Sequence, residues 1–102
     1  MEVIHATPKI GKFIRDLETV LAVRVGKTIN LLERYGHEVR LPHSRAIGDG
    51  LFELRLLGGY QVRIIYTFHN GCAFLLHIFS KKTASISKKD IEYALKIKNS
   101  LA

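Results

Sequence analysis

The chain reads first in a helical period and then in a two-residue period. Ile10, Phe13, Ile14 and Leu17 recur at helical spacing behind Thr7-Pro8, a hydroxyl and a proline suited to a helix start. Leu21, Val25, Ile29 and Leu32 form a second apolar stripe, with Thr19 as its expected cap and Gly36 placed to end it. Two helices so close in sequence predict a helical hairpin. Residues 37–50, with Pro42, Gly48 and Gly50, lack periodicity and read as a loop. Alternation then takes over, and Leu51–Leu57, Gln61–Phe68 and Cys72–Ser80 predict three strands. Turns at Gly58-Gly59 and Asn70-Gly71 are short enough to require antiparallel neighbours. A last helix is expected from Ser87, where Ser87-x-x-Asp90 resembles a capping box and Ile91, Ala94, Leu95 and Leu101 supply a stripe. Met1–His5 could add a short edge strand. The expected fold is α+β: a helical hairpin on a three-stranded antiparallel meander, plus a C-terminal helix.

The register of the first hairpin carries chemical information. A two-residue Gly58-Gly59 turn would pair Arg55 with Val62 and Leu54 with Arg63, mixing polar and apolar faces. A three-residue loop, Gly58-Gly59-Tyr60, pairs Leu57 with Gln61, Arg55 with Arg63, Leu54 with Ile64 and Phe52 with Tyr66. A slip of one residue turns every side chain to the other face, so the second register is chosen. It sets two arginines directly across a strand pair, which costs about 0.2–1 kcal/mol unless an anion relieves it. Phosphate suits two guanidinium groups, which bind it in forked geometry. The competing explanation is that Glu53 neutralises one arginine while the other reaches water. For the third strand two registers stay open. A two-residue Asn70-Gly71 turn puts His77 and Phe79 on the Ile64 face, whereas a turn using His69 puts His77, Phe79 and Lys81 beside the arginines.

Composition sharpens this picture in few places. With 102 residues, 47% of them hydrophobic and 25% charged, the chain has an ordinary globular mix and predicts one domain over residues 1–102. Cys72 is the single cysteine, so stability is expected from packing in a reducing compartment. No apolar run approaches membrane-spanning length, and no basic region leads into an apolar stretch at the N-terminus. The net charge of +7 is uneven: residues 1–50 carry eight Lys/Arg against six Asp/Glu, residues 51–102 eight against three. A basic half suggests a polyanionic partner, though excess lysine can also serve solubility alone. Lys81-Lys82 follow the third strand and Lys88-Lys89 open the last helix, where cations oppose the helix dipole unless they meet an anion. The five histidines show no metal-ligand spacing, and no phosphate-cradling glycine loop precedes a helix.

Three stretches together carry a family resemblance. Gly50-Leu51-Phe52-Glu53-Leu54-Arg55, Val62-Arg63-Ile64-Ile65-Tyr66 and Leu75-Leu76-His77-Ile78-Phe79-Ser80-Lys81-Lys82-Thr83 resemble the RelE/ParE toxin superfamily, in its HigB-like phage-derived branch. The resemblance spans about residues 45–97, and the two N-terminal helices agree in order and size. It implies the toxin of a type II toxin–antitoxin pair: a cytoplasmic, ribosome-dependent endoribonuclease that cleaves mRNA without metal or other cofactor. The implied partners are a small helix-turn-helix antitoxin, the ribosome and mRNA, with no membrane. Carried onto this chain, Arg55 and Arg63 would grip the scissile phosphate and stabilise the transition state. Lys82 would join them in catalysis, and Lys81, Lys88, Lys89 and His77 would bind RNA. Where many relatives continue Lys-Thr-Pro, Ser85-Ile86-Ser87 stands here, and Lys88 and Lys89 stand near where some relatives have a tyrosine or histidine. The general base is therefore left unassigned. Two other readings are a ParE-like, non-nucleolytic inhibitor of DNA gyrase and an inactive RNA-binding relative.

Overall fold

The computed structural model describes residues 1–56, 58, 61–81 and 85–102. Among these residues the chain is α+β, with three α-helices and a five-stranded mixed sheet. The elements are β1 (Val3–His5), α1 (Pro8–Arg15), α2 (Thr19–Tyr35), a short 3-10 turn (Gly36–Glu38), β2 (Ser44–Gly48), β3 (Leu51–Arg55), β4 (Val62–His69), β5 (Cys72–Ser80) and α3 (Lys88–Asn99). Spatial order in the sheet is β1-β5-β4-β3-β2. Strands β2 to β5 run antiparallel, and β1 pairs parallel to β5 on the outer edge. No helix of the described residues is long and apolar enough to cross a membrane.

One expectation about this sheet is corrected and another is met. The meander has a fourth strand, because Ser44–Gly48, expected as loop, pairs antiparallel with β3. An edge strand needs apolar residues only where it touches the core; here Ser44 is buried, Ile47 is half-buried and the other three positions are exposed, which leaves little alternation to read. The segment Met1–His5 does supply an edge strand, Val3–His5, in the parallel sense that the crossover through α1, α2 and the meander allows.

The helices lie on opposite faces. Ile10 of α1 and Val25 and Leu32 of α2 pack with Leu54, Ile64, Tyr66, Leu75 and Ile78. Ala94 of α3 packs with Leu51, Ile65, Leu76 and Phe79, with Ile91 and Leu95 at the margin. Gly36 ends α2 with φ of 51°, a backbone state that favours glycine. The two N-terminal caps differ from expectation: Glu18 rather than Thr19 precedes α2, and the Thr7 hydroxyl makes no capping bond to α1. At α3 the capping expectation holds. Ser87 Oγ accepts from the Asp90 backbone N–H at 3.2 Å and donates to Asp90 Oδ2 at 2.6 Å.

The first-hairpin register is the one chosen from the apolar pattern: Arg55 faces Arg63, Leu54 faces Ile64 and Phe52 faces Tyr66. The pairing expected between Leu57 and Gln61, and the loop of Gly58, Gly59 and Tyr60, lie outside the described residues except for Gly58 and Gln61. In the second hairpin His69 pairs with Cys72 across a two-residue Asn70-Gly71 turn, with φ of 50° and 77° at the two turn residues. Four pairs later the register shifts between Ile65 and Tyr66, so that Ile65 faces His77 and Arg63 faces Phe79. One extra residue, Leu76, is accommodated there as a β-bulge. The Asn-Gly turn signal was therefore sound, but Phe74 and Leu76 pack on the α3 side and Ile78 on the other, so no single register describes the strand. The turn has two residues, yet His77, Phe79 and Lys81 stand on the arginine face.

Candidate functional site

The face of the sheet that carries α3 is apolar at one end and charged at the other. Glu53 on β3 is 1% exposed, a buried carboxylate that needs compensating charge. Arg45, opposite it on β2, donates from Nε to Oε1 at 2.7 Å. Arg63 Nε stands 3.4 Å from Oε2 and Lys81 Nζ 3.6 Å from the same oxygen, ion-pair approaches longer than a good hydrogen bond. Glu53 thus gathers three cations from three other stretches of chain. It does neutralise one of the paired arginines in part, and that arginine is Arg63. Arg55 stands across from Arg63, half-buried, with no ion pair among the described residues. On this face the described residues set four cations, Arg45, Arg55, Arg63 and Lys81, against the Glu53 carboxylate.

Lys81 follows the last strand residue and continues its register, its backbone N–H bonding to Gln61 O. It is 8% exposed, so it belongs to the floor of the cluster rather than to a lysine-rich surface. Burial pushes its ammonium below the ordinary lysine value; Glu53 opposes that shift, while Arg63 and Arg45 add to it. Lys82, expected in catalysis, lies outside the described residues. Lys88 and Lys89 occupy the exposed first turn of α3, and Lys88 Nζ is 3.9 Å from Glu92 Oε1. They are not part of the buried cluster.

His77 is brought to the cluster's flank. Its Nε2 is 2.8 Å from Asp90 Oδ1, and its ring packs on Phe79 and Tyr93 with centroids 4.7 Å away in both cases. Asp90 is a carboxylate with several reasons to stay ionised. Burial raises its pKa, but the bonds from Ser87 and His77 and the nearby Lys81 charge outweigh this and hold it below the ordinary value. Its place in the first turn of α3 adds the favourable end of the helix dipole. Beside His77 opens a cavity of about 260 Å³ between α1 and α3, lined in part by Thr7, Lys9, Phe13 and Tyr93. Lys9 Nζ lies 5.5 Å over the Tyr93 ring. Among the described residues, no group of three or more His, Cys, Asp or Glu could hold a metal ion.

Sequence reasoning missed Arg45 and Asp90. Arg45 could be found only after recognising β2, because its partner Glu53 is eight residues away across a hairpin. Asp90 was visible as a capping residue, but its second bond, to His77, depends on how α3 folds back over β5.

Chemically, the arrangement offers a rigid cationic centre with an internal counter-charge and an imidazole–carboxylate pair alongside. Such a centre can hold an anion and stabilise charge that develops on it. Comparison with known proteins yields one family model, described as phage derived protein Gp49-like (DUF891), which matches residues 12–99. No curated protein matches the chain.

Proposed function

The chain belongs to the phage-derived Gp49-like family, within the RelE/HigB-like toxin group, and from that premise we propose that it is the toxin of a type II toxin–antitoxin pair, acting as a ribosome-dependent mRNA endonuclease. One observation carries the reading: Arg55 faces Arg63 on a sheet whose own carboxylate at this end, Glu53, is already engaged by Arg45, Arg63 and Lys81. A pair of facing guanidinium groups on a strand scaffold, with one carboxylate shared among three cations beside it, suits the bridging phosphate of RNA. In this reading Arg55 and Arg63 grip the scissile phosphate and Lys81 lends charge from beneath, all within one toxin domain over residues 1–102. Lys82 extends the grip, and Lys88 and Lys89 meet the RNA backbone through salt-dependent contacts. The cleavage needs no metal: the ribose 2′-OH attacks the adjacent phosphate while cations stabilise the developing charge. A cognate antitoxin, a small helix-turn-helix protein, neutralises the toxin in the cytoplasm.

Toeprinting of a translated message tests this. Cleavage within codons by the wild-type chain, lost in Arg63→Ala, is the expected result. Intact message accompanied by induced DNA damage would replace the reading with gyrase inhibition. Intact message with RNA binding retained would leave an inactive binding module.

A further inference from the structure

We propose that His77 is the general base of this site, with Asp90 and Ser87 as the residues that position it. The inference rests on the reading just given and names the group that the family resemblance leaves unassigned. Three observations carry it. The first is placement. Arg63 faces Phe79 across the β4–β5 ladder, and His77 is two residues from Phe79 on the same face of the sheet. His77 is therefore a diagonal neighbour of Arg63, a separation of about 7–8 Å that a long side chain and a ring span easily. Lys81, two residues beyond Phe79, is the diagonal neighbour on the other side. A phosphate held by Arg63 has the imidazole along one flank and the buried ammonium along the other.

The second observation is orientation. Nε2 is 2.8 Å from Asp90 Oδ1, and an ionised carboxylate can only accept, so in the neutral ring Nε2 carries the proton and Nδ1 the lone pair. Nδ1 has no hydrogen-bond partner among the described residues. Asp90 is fixed in turn by Ser87, which donates to its other oxygen at 2.6 Å. The chain Ser87–Asp90–His77 thus selects one tautomer and leaves a basic nitrogen available, the condition a general base needs. The third observation is rigidity. The ring is packed between Phe79 and Tyr93, and the bulge at Leu76 is what turns it to this face. The charged and titratable groups that face it are Asp90 and Tyr93 from α3, Lys9 from α1, and Arg63 and Lys81 from the sheet.

In the proposed step the 2′-hydroxyl proton passes to His77 Nδ1 as O2′ forms a bond to phosphorus. The bond from phosphorus to O5′ breaks, and the leaving oxygen takes a proton from solvent. The products are a 2′,3′-cyclic phosphate and a 5′-hydroxyl, and the imidazolium returns its proton to water.

The test is single-turnover cleavage of a defined message on programmed ribosomes, followed from acidic to neutral pH, with wild type, His77→Gln and Asp90→Asn. The wild-type rate should rise from acidic to neutral pH, as loss of a proton from a general base requires. His77→Gln should lose about 100-fold in rate and lose the rising limb, while its circular dichroism spectrum and complex with the antitoxin stay intact. Asp90→Asn should reduce the rate by a smaller factor. A His77→Gln rate within about twofold of wild type, with the same pH profile, would overturn the assignment of His77 and leave the endonuclease reading standing. If His77→Gln fails to fold, a folded Asp90→Asn that cleaves at the wild-type rate overturns it equally. A wild-type chain that leaves the message intact overturns both.

Discussion

The two faces of the central sheet are built from the same strands and obey different rules. On the α1/α2 side, Leu54, Ile64 and Tyr66 are at most 1% exposed, and the polar atoms among them are matched: Tyr66 OH and Ser44 Oγ share a hydrogen bond. Burial pushes the Tyr66 phenol above its ordinary pKa, with the Ser44 bond opposing it, so the group stays neutral there. On the α3 side, one helix covers only the end nearer Leu51 and Leu76, and the remaining positions are filled by Arg45, Glu53, Arg63 and Lys81. Two helices suffice to seal a five-stranded sheet against water; one does not. The uncovered half is where charge can be kept at modest cost, because Arg45 reaches solvent while the more buried Arg63 and Lys81 share the Glu53 carboxylate at the base. A sheet with one sealed and one half-sealed face separates stability from chemistry.

Substitutions on each face test that separation. The largest stability loss is expected from Glu53→Ala, about 3–5 kcal/mol, because removing the carboxylate they share leaves the buried Lys81 beside the half-buried Arg63. Urea denaturation measures it, and a loss under 1 kcal/mol would mean the cations relax to water freely. Leu54→Ala on the sealed face should cost about 2–5 kcal/mol, yet leave cleavage per folded molecule unchanged. Tyr66→Phe should cost about 1–3 kcal/mol, since it strands the Ser44 hydroxyl in a dry site. Arg55→Ala should do the reverse of Leu54→Ala. It removes a like-charge contact and should leave stability unchanged or raise it by up to about 1 kcal/mol, while growth arrest on expression is abolished. An Arg55→Ala chain that stays fully toxic would sink the phosphate-grip assignment.

The smallest effect is a pH dependence. Asp90 has a folded-state pKa below its unfolded value near 3.8, so it contributes stability that is present above that value. The contribution is lost as pH falls through the folded-state value. Melting curves of wild type and Asp90→Asn should therefore differ at neutral pH and converge once the pH falls well below about 4. A constant difference across that range would mean that the carboxylate's charge is not what stabilises the fold.

How much of this could be read from the chain depended on whether a feature was local. The strand Cys72–Ser80 and the Ser87–Asp90 cap were legible because alternation and spacing are properties of a few successive residues. The Arg55–Arg63 pairing was legible too, since only one register keeps Phe52, Leu54, Ile64 and Tyr66 together. Strand β2 was not, because its partners supply the order that its own sequence lacks. The bulge at Leu76 was invisible for another reason: single-register reasoning assigns one phase to the whole strand, whereas Phe74 and Leu76 belong to the α3 layer and Ile78 to the other core. Nor could the Arg45–Glu53 and His77–Asp90 pairs be read, as both join elements whose mutual placement only the folded sheet decides.

That bulge also gives β5 one residue of slack in chain length. Ala73 and Leu75 before it and Ile78 after it face the same core, although the first two positions are odd and the third is even. The strand is written in two phases joined at one residue. Deleting Leu76 would restore a single phase without inverting either half, since Ala73, Leu75 and Ile78 would then alternate regularly with Phe74, His77 and Phe79. Many substitutions at position 76 would change the protein by degrees. Loss of that residue would cost the α3 layer one side chain and leave inside and outside where they are.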